Sequence, residues 1–339
     1  MAGGIRVKII VGIDIGGTKC AISFAHPCDG GIEFLDKTVC RTKKEDFQGA
    51  MQEFVQVISK KLRENPHWRL TAIGISCGGP LDAQKGLILA PPNLPRWDRA
   101  DVFTPLKNAF GVPVMIQNDA DACALAEWTM GAGKGCRNMI FLTFGTGMGA
   151  GLILNNELYT GTTGTAGEVG HIRLEENGPY GYGKYGSFEG FCSGGGIADL
   201  GRQMALEAIR QGKPPLFCRE EKELEQVSSK TIADALERGD PLAEEIFDSV
   251  ATHLGRGLAV LIDILNPEKI VIGSIFVRQR KVLEEKMTEA IRQEALADAG
   301  RVCEVVPASL GEMLGDYAAV SVGLKAYQDF CRQENGGIR

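Results

Sequence analysis

The order of apolar and polar positions along the chain predicts strands and helices that alternate, as in an α/β protein. Short β-branched runs bounded by glycine or proline indicate buried strands, and apolar residues at three- and four-residue spacing indicate amphipathic helices. The predicted strands are residues 5–13, 20–25, 31–41, 70–76, 112–116, 138–144, 148–154, 269–272 and 302–306. The predicted helices are residues 45–62, 103–110, 120–130, 194–209, 231–238, 240–265, 282–296 and 315–327.

Two of the predicted strand pairs are joined by glycine turns of similar design. The first glycine turn is Asp14-Ile15-Gly16-Gly17-Thr18-Lys19, and the second is Gly145-Thr146-Gly147. Glycines allow backbone N–H groups to approach an anion closely, which suits a phosphate. Many hairpins turn on a Gly-Gly pair without binding anything, so the first turn alone decides nothing. Its repetition favours phosphate binding by both turns and predicts two related halves that face each other across a cleft.

Polar residues and glycines follow several predicted strands directly, where α/β proteins often bind ligands. Gly78-Gly79-Pro80, Asn118-Asp119 and Gly273-Ser274 each occupy such a position. We expect Gly79 to allow the close approach of a ligand, and the Gly273-Ser274 pair to lie beside the base or ribose of a nucleotide. Asn and Asp are common helix N-caps. The additional acid Asp121 in the same turn exceeds what a cap requires and favours a functional role.

Two loops carry further candidate residues. The loop at residues 161–170 is rich in glycine and threonine and delivers Glu168 and, just beyond it, His171. A lone histidine is more often structural than functional, but this one, three residues after a glutamate, is the best candidate of the four. An acid, an amide and an imidazole suit a ligand with many hydroxyls, because hydroxyls both donate and accept hydrogen bonds. In the proline-rich loop 90–97, Asn93 and Trp97 either face such a ligand or cap a turn and fill the core.

Composition narrows the class of protein. The chain has 339 residues, with 44% hydrophobic and 24% charged residues and a net charge of −6, which is typical of a soluble globular protein of two domains. The negative balance argues against nucleic acid or an anionic membrane as the main partner. No apolar run is long enough to span a bilayer or to form a signal sequence, so we expect a cytoplasmic protein. The ten cysteines are scattered singly, and we expect reduced thiols.

Together these motifs resemble the ROK group (repressors, open reading frames and kinases) of the actin-like and hexokinase-like ATPases. The resemblance covers nearly the whole chain. It implies an α/β, two-domain actin-like/hexokinase-like ATPase fold with ribonuclease H-like halves around a cleft. We expect a small N-terminal domain at residues 1–117, completed by the C-terminal helix 315–333, and a large domain at residues 118–314. The motifs that carry the resemblance are Asp14-Ile15-Gly16-Gly17-Thr18-Lys19, Gly78-Gly79-Pro80, Asn118-Asp119, Thr143-Phe144-Gly145-Thr146-Gly147-Met148-Gly149 and Gly167-Glu168-Val169-Gly170-His171.

The resemblance also implies roles for individual residues. Asp119 is expected to be the general base that takes the proton from the attacking sugar hydroxyl. The expected sugar-binding residues are Gly79, Asn93, Asn118, Asp119, Glu168, His171 and Glu189. The expected ATP-binding residues are Asp14, Gly16, Gly17, Thr18, Lys19, Gly145, Thr146, Gly147, Gly194, Gly273 and Ser274. Mg²⁺ is expected to accompany ATP near Asp14.

The chain departs from the family pattern in two places. Most members carry a zinc site, in which the motif histidine is followed by Cys-x-Cys-Gly-x-x-Gly-Cys-x-Glu. Here the glycines and the final Glu189 are kept, but Tyr180, Tyr182 and Ser187 stand at the cysteine positions. A structural zinc needs four N or S ligands, so we predict no zinc and expect packed tyrosines, Tyr185 among them, to support the loop instead. The second departure is Gly273-Ser274, where the family often has Gly-Gly.

These observations predict an ATP-dependent sugar kinase that phosphorylates a hexose, with glucose at its 6-hydroxyl as the first candidate. Other hexoses, N-acetylmannosamine, N-acetylglucosamine and β-glucosides stay open as substrates. The rival of another class is a sugar sensor or regulator. A family repressor carries a helix-turn-helix ahead of the first hairpin, and the dozen or so residues before Asp14 are too few for one. Family members are commonly dimers or tetramers, so a homodimer is one expected assembly, and the sequence leaves the oligomer open.

Overall fold

The computed structural model describes residues 6–336, and strands and helices fill most of that range. The strands are β1 Val7–Ile15, β2 Lys19–Cys28, β3 Gly31–Arg41, β4 Trp68–Cys77, β5 Leu81–Asp82, β6 Leu87–Ile88, β7 Ala100–Asp101, β8 Val114–Gln117, β9 Met139–Phe144, β10 Met148–Leu154, β11 Glu157–Tyr159, β12 Tyr180–Gly181, β13 Lys184–Tyr185, β14 Lys269–Ile272 and β15 Glu304–Pro307. The α-helices are α1 Phe47–Glu64, α2 Phe103–Phe110, α3 Asp119–Thr129, α4 Phe188–Cys192, α5 Gly194–Arg210, α6 Ser229–Leu236, α7 Pro241–Leu265, α8 Ile275–Glu294, α9 Ala297–Val302 and α10 Leu314–Gly336. Short 3₁₀ helices lie at Val169–His171, Glu221–Gln226 and Gly311–Met313.

The first of two compact units contains the described parts of Met1–Gly135 and Ser309–Arg339, together with Gly161–Gly164. Its sheet has the strand order β3-β2-β1-β4-β8. Strands β1, β2 and β3 are antiparallel, and β4 and β8 run parallel to β1. Both faces of β1 are buried, since alternate side chains of a strand point to opposite faces. Ile9 and Val11 pack in a cluster with Phe54 of α1, whereas Ile10 packs with Val320 of α10.

Helix α10 approaches the first sheet closely because glycines remove side chains from the contact. A Cβ on Gly12 of β1 would lie 2.6 Å from the backbone N of Val320. A Cβ on Gly74 of β4 would lie 2.0 Å from the backbone N of Gly323. Glycine inside a strand usually marks such an approach of another backbone. The C-terminal helix therefore belongs to the core of the first unit.

The second unit contains Cys136–Thr160 and Thr165–Ala308. Its sheet has the strand order β11-β10-β9-β14-β15, in which β9, β10 and β11 are antiparallel and β14 and β15 continue parallel to β9. When the five strands of each sheet are numbered in chain order, both sheets have the spatial order three-two-one-four-five. Helix α7 fills the core with Leu254, Leu258 and Ile262, which are fully buried. The repeated topology confirms the prediction of two related halves.

Most predicted elements are present with bounds close to those expected. Residue 5 of the first predicted strand lies outside the described residues. The helix expected at residues 282–296 begins earlier, at Ile275. Its first turn contains the buried Ile275 and Phe276, but the charged residues that follow interrupt the apolar spacing by which a helix is recognised in the sequence. The short strands β5, β6, β7, β11, β12 and β13 and the helices α4 and α9 were not predicted. The domain boundary expected after residue 117 stays a prediction, and contacts group residues 118–135 with the first unit.

No helix within residues 6–336 is both long enough and apolar enough to cross a membrane.

Candidate functional site

The first glycine turn joins β1 to β2 and is held by backbone and threonine hydrogen bonds. Gly16 N donates to Lys19 O at 3.1 Å, and the hydroxyl of Thr42 donates to Gly16 O at 2.7 Å. Gly17 lies against the proline-rich loop, since a Cβ there would come within 2.7 Å of the Cβ of Asn93. Thr18 and Lys19 are exposed at the tip. The turn thus offers accessible backbone and one cation, as phosphate binding requires.

Asp14 precedes this turn and lies in an acidic environment. Burial, together with the charges of Asp316 and Asp119, raises the pKa of Asp14 to about 6, against the lowering effects of Lys37 and Lys19. Gly315 lies beside this carboxylate, because a Cβ on it would be 2.9 Å from Asp14 Oδ2. A carboxylate that is destabilised by its neighbours in this way is a functional candidate.

Asp316 is a residue that the sequence did not suggest. Asp316 is 5% exposed. Its Oδ1 accepts a hydrogen bond from Ser23 Oγ at 2.7 Å, and its Oδ2 forms an ion pair with Lys37 Nζ at 2.5 Å. It lies in the first turn of α10, far along the chain from the motifs, and no pattern around it marks an acid. Its contacts with β2 and β3 place its charge near Asp14.

Asn118 and Asp119 lie at the junction of β8 and α3. Asn118 is the N-cap of α3, since its Oδ1 accepts from Asp121 N at 2.8 Å, and its Nδ2 donates to Asp121 Oδ2 at 3.0 Å. Its amide is therefore already engaged in capping. Asp119 is the first helical residue and is exposed, and its Oδ1 accepts from Ala120 N at 2.9 Å. The positive end of the helix dipole favours an ionised carboxylate there.

The remaining candidates of the first unit differ in their surroundings. Gly79 is exposed just beyond β4, and a Cβ on it would meet nothing within 4 Å, so packing does not require glycine there. Asn93 is exposed. Trp97 is fully buried, and its Nε1 donates to Lys43 O at 3.1 Å. Trp97 therefore fills the core and does not face a ligand.

The second glycine turn joins β9 to β10, and other nucleotide candidates of the second unit gather beside it. Gly194 N donates to Gly145 O at 2.7 Å, and a Cβ on Gly145 would lie 3.5 Å from the hydroxyl of Ser274. Helix α5 begins at Gly194, so an N-terminus of a 17-residue helix points into this region. Ser274 has a φ of 56° and ψ of −110°, a conformation that suits glycine better than serine. Glycine at this position would adopt the same conformation without strain.

Glu168, His171 and Glu189 also lie together in the second unit. Glu168 caps the 3₁₀ helix that contains His171, and both side chains are exposed. Glu189 lies in the first turn of α4, where its Oε2 accepts from Met148 N at 3.0 Å and its Oε1 accepts from Tyr182 N at 3.0 Å. Met148 directly follows the second glycine turn. Glu189 therefore links the turn to the segment that replaces the zinc motif.

That segment forms a small β-hairpin, here called the tyrosine hairpin, from β12 through β13. The rings of Tyr180 and Tyr185 make an edge contact at 5.3 Å, but the side chains are 51% and 61% exposed, and Tyr182 is 40% exposed. The expectation of a packed tyrosine core is therefore wrong. Hydrogen bonds support the segment instead, since the buried Ser187 donates to Gly181 O at 2.7 Å and accepts from Gly190 N at 3.0 Å.

Side chains of the tyrosine hairpin contact Glu168 and His171, two of the three sugar-binding candidates of this unit. The phenol of Tyr182 donates to Glu168 Oε2, and its ring lies 5.2 Å from that of His171. Burial and the hydrogen bond to Glu168 raise the pKa of Tyr182, so the phenol keeps its proton. Lys184 Nζ lies 3.2 Å from His171 Nδ1 and donates to His171 O at 2.8 Å. The sequence indicated neither contact.

The donor set of this segment does not suit zinc. Phenols and a serine hydroxyl stand where thiolates are needed, and the Lys184 ammonium lies against the ring nitrogen of His171. Within residues 6–336, no three His, Cys, Asp or Glu side chains are grouped so that they could hold a metal ion. The absence of zinc stays a prediction.

Known proteins of two kinds are similar to this chain. The sequence model of the ROK family matches residues 10–322. A glucokinase of Halalkalibacterium halodurans is 31% identical over 311 residues, which cover 90% of this chain and 92% of that protein. The Escherichia coli DNA-binding transcriptional dual regulator NagC is 30% identical over 263 residues, which cover 77% of this chain and 61% of that protein.

A solved structure extends the similarity to the fold. The crystal structure of a ROK family glucokinase from Streptomyces griseus, in complex with glucose and AMPPNP, superimposes with a TM-score of 0.68 at 27% identity. The match covers 94% of this chain and 99% of that one. It confirms the predicted hexokinase-like α/β fold. The family match includes both glycine turns, Asn118-Asp119 and the segment from Glu168 to His171, and the chain therefore belongs to the ROK family.

Proposed function

We propose that this protein is an ATP-dependent hexose kinase that phosphorylates glucose at the 6-hydroxyl, with Asp119 as the general base. The observation that carries the proposal is the placement of Asp119 at the N-terminus of α3, in the same unit as the first glycine turn and Asp14. Similarity to the Halalkalibacterium halodurans and Streptomyces griseus glucokinases supports a sugar kinase and makes glucose the first substrate to test.

Phosphoryl transfer depends on positioning and on neutralising charge. Asp119 orients the attacking hydroxyl and accepts its proton as the bond to phosphorus forms. The carboxylate of Asp119 is exposed at the N-terminus of α3 and is therefore accessible to a substrate. Glu168, His171 and Glu189 bind other hydroxyls of the sugar, with Gly79, Asn93 and Asn118 as further contacts.

The two glycine turns bind the phosphates of ATP, and Gly194, Gly273 and Ser274 lie beside the nucleoside. Mg²⁺ in proteins is commonly held by one or two carboxylates together with substrate phosphates and water. The surroundings of Asp14 fit this arrangement, because a cation would offset the burial and the repulsion from Asp316 and Asp119 that raise the pKa of Asp14. Bound Mg²⁺ would neutralise phosphate charge.

A coupled assay of ADP release tests the proposal. Purified protein with Mg²⁺ and ATP is offered glucose, other hexoses, N-acetylhexosamines and β-glucosides, and the highest kcat/KM is expected for glucose. If another sugar gives the highest kcat/KM, that sugar replaces glucose as the substrate, and the assignment as a sugar kinase stands. If the protein binds a sugar but releases ADP with none of the sugars tested, the result would favour a sugar sensor. The similarity to the regulator NagC is the reason to test for a sensor.

Asp119→Ala tests the base. Turnover should fall by about a thousandfold or more, because general base catalysis contributes about 10²–10⁴ and positioning of the hydroxyl is lost as well. Glucose binding, measured by calorimetry, should remain. Asp98→Ala removes an exposed carboxylate from the same unit and serves as the control. Turnover by Asp119→Ala close to that of the control would show that another group is the base.

Two further expectations belong to this proposal. Metal analysis of protein purified without chelator should find well below one zinc per chain, and a stoichiometric zinc content would contradict the prediction. Light scattering tests the expected homodimer.

A further inference from the structure

The tyrosine hairpin ends in a tight turn that places two side chains beside Glu168 and His171. Its turn residues Tyr182 and Gly183 have φ values of 50° and 77°. Two positive φ values are typical of the type I′ turn of two-residue hairpins, where Asn and Gly are preferred. A tyrosine at such a position is uncommon and points to a use for its side chain.

We propose that Tyr182 and Lys184 are positioning residues for the sugar, which hold Glu168 and His171 by direct hydrogen bonds in place of a metal brace. The inference rests on the proposed function, because Glu168 and His171 are two of the three sugar-binding candidates of the second unit. It concerns two residues for which neither the family pattern nor the sequence implies this role.

Tyr182 fixes one oxygen of Glu168. Its phenol donates to Glu168 Oε2, and its backbone N donates to Glu189 Oε1 at 3.0 Å, so the donor is itself anchored. Within the described residues, the side chain of Glu168 accepts no other hydrogen bond. Its Oε1 is therefore left to accept from a sugar hydroxyl. The raised pKa of the phenol keeps the donor protonated throughout the neutral range.

Lys184 selects the tautomer of His171. An ammonium group can only donate, so the Lys184 Nζ at 3.2 Å requires Nδ1 of His171 to accept. The neutral ring then carries its proton on Nε2, which makes that nitrogen a donor. A second bond, from Lys184 Nζ to His171 O at 2.8 Å, fixes the lysine relative to the histidine backbone.

The two contacts together give the sugar a matched pair of partners. Glu168 accepts and His171 donates, which suits hydroxyls because each hydroxyl can do both. The Lys184 ammonium lies 3.2 Å from Nδ1 of His171, and its positive charge would oppose a zinc ion bound to that nitrogen. The contacts of Tyr182 and Lys184 thus take over the alignment for which relatives use the metal.

The first test compares Tyr182→Phe with Tyr180→Phe. Both remove one phenolic oxygen from the same hairpin, but within the described residues the hydroxyl of Tyr180 makes no hydrogen bond. Loss of a hydrogen bond to a charged group corresponds to roughly tenfold in affinity. Tyr182→Phe should raise the dissociation constant and the KM for the sugar by about 5- to 20-fold, with kcat and the KM for ATP within about threefold. Tyr180→Phe should match the wild type.

The second test reads the histidine directly. In ¹⁵N NMR at pH 8, His171 should show a protonated Nε2 and an unprotonated Nδ1, assigned by the signal lost in His171→Asn. Lys184→Met should give a mixture of tautomers and weaker sugar binding, whereas Lys281→Met, which removes an exposed lysine of the same unit, should change neither.

The outcomes separate the positioning role from the proposed function. Equal sugar affinity of Tyr182→Phe and Tyr180→Phe, or a wild-type His171 protonated on Nδ1, would overturn the positioning role even in an active kinase. Absence of ADP release with every sugar would overturn the proposed function. The NMR result does not depend on turnover. Even in a protein without kinase activity, it would show whether Lys184 donates a hydrogen bond to Nδ1 of His171.

Discussion

Replacing Asp14 with Asn should make the first unit more stable at neutral pH while it abolishes activity. Asn keeps the size of the side chain but has no charge, so it resembles the protonated form that the surroundings of Asp14 favour. Burial and the charges of Asp316 and Asp119 raise the pKa of Asp14 to about 6. The folded protein therefore holds an ionised carboxylate at pH 8 at an energetic cost.

The size of the effect follows from the pKa. The change from 3.8 to about 6 corresponds to about 3 kcal/mol, at about 1.4 kcal/mol for each pH unit. Since the pKa is raised on folding, the stability gained from the protonated form is fully present below pH 3.8 and is lost as the pH rises through 6. Asp14→Asn should thus exceed the wild type by about 3 kcal/mol at pH 8 and by about half as much at pH 5.

Urea unfolding followed by tryptophan fluorescence is a suitable assay, because Trp68, Trp97 and Trp128 all lie in the first unit. The measurement is made with chelator and without nucleotide, so that no cation compensates the carboxylate. Asp98→Asn, an exposed site of the same unit, should change the free energy of unfolding by less than about 0.5 kcal/mol. An Asp14→Asn variant no more stable than the wild type at pH 8, or with the same advantage at both pH values, would refute the electrostatic reasoning.

Two further predictions concern the exchange of glycine with a larger residue, at Gly74 and at Ser274. Gly74→Ala should destabilise the first unit by about 3 kcal/mol, because its Cβ would lie 2.0 Å from Gly323 N. Gly300→Ala on α9, whose Cβ would come no closer than 3.7 Å to Ala295, should be neutral or stabilising when urea unfolding is followed by circular dichroism, which reports on both units. Ser274→Gly should raise the free energy of unfolding by about 1 kcal/mol by relieving its positive φ, with the KM for ATP changed less than about twofold; a loss of stability would show that the serine conformation is not strained.

Local sequence patterns were sufficient to predict much of the fold. Strand β3, helix α2, and strands β10 and β14 have the predicted bounds, because β-branched runs, helical spacing and glycine turns are local signals. The repeated glycine turn also predicted the repeated topology. The strands of two or three residues and the short helices α4 and α9 were missed because they are too short to show a period. Helix α8 was predicted late because charges follow its two buried first residues.

The candidate sites were predicted less completely, and the missing residues share a cause. Asp316, Tyr182 and Lys184 act on motif residues through contacts that the fold creates. Asp316 reaches β2 and β3 only because α10 packs on the first sheet. The sequence correctly marked the zinc frame as altered, but it suggested aromatic packing, since three tyrosines in a short segment resemble a small core. The hairpin leaves their rings exposed, and only its register shows which polar groups meet.

Glu189 joins the tyrosine hairpin to the second glycine turn of its own unit. One carboxylate oxygen accepts from Met148 N, directly after the second glycine turn, and the other accepts from Tyr182 N at the tip of the tyrosine hairpin. A Cβ on Gly147 would lie 2.9 Å from Glu189 Oε2, so glycine at this position makes room for the carboxylate. Glutamine at position 189 would have to turn an NH₂ group toward one of two N–H donors. The carboxylate of Glu189 therefore has a structural role that a neutral amide could not fill, because it holds the tyrosine hairpin against the second glycine turn.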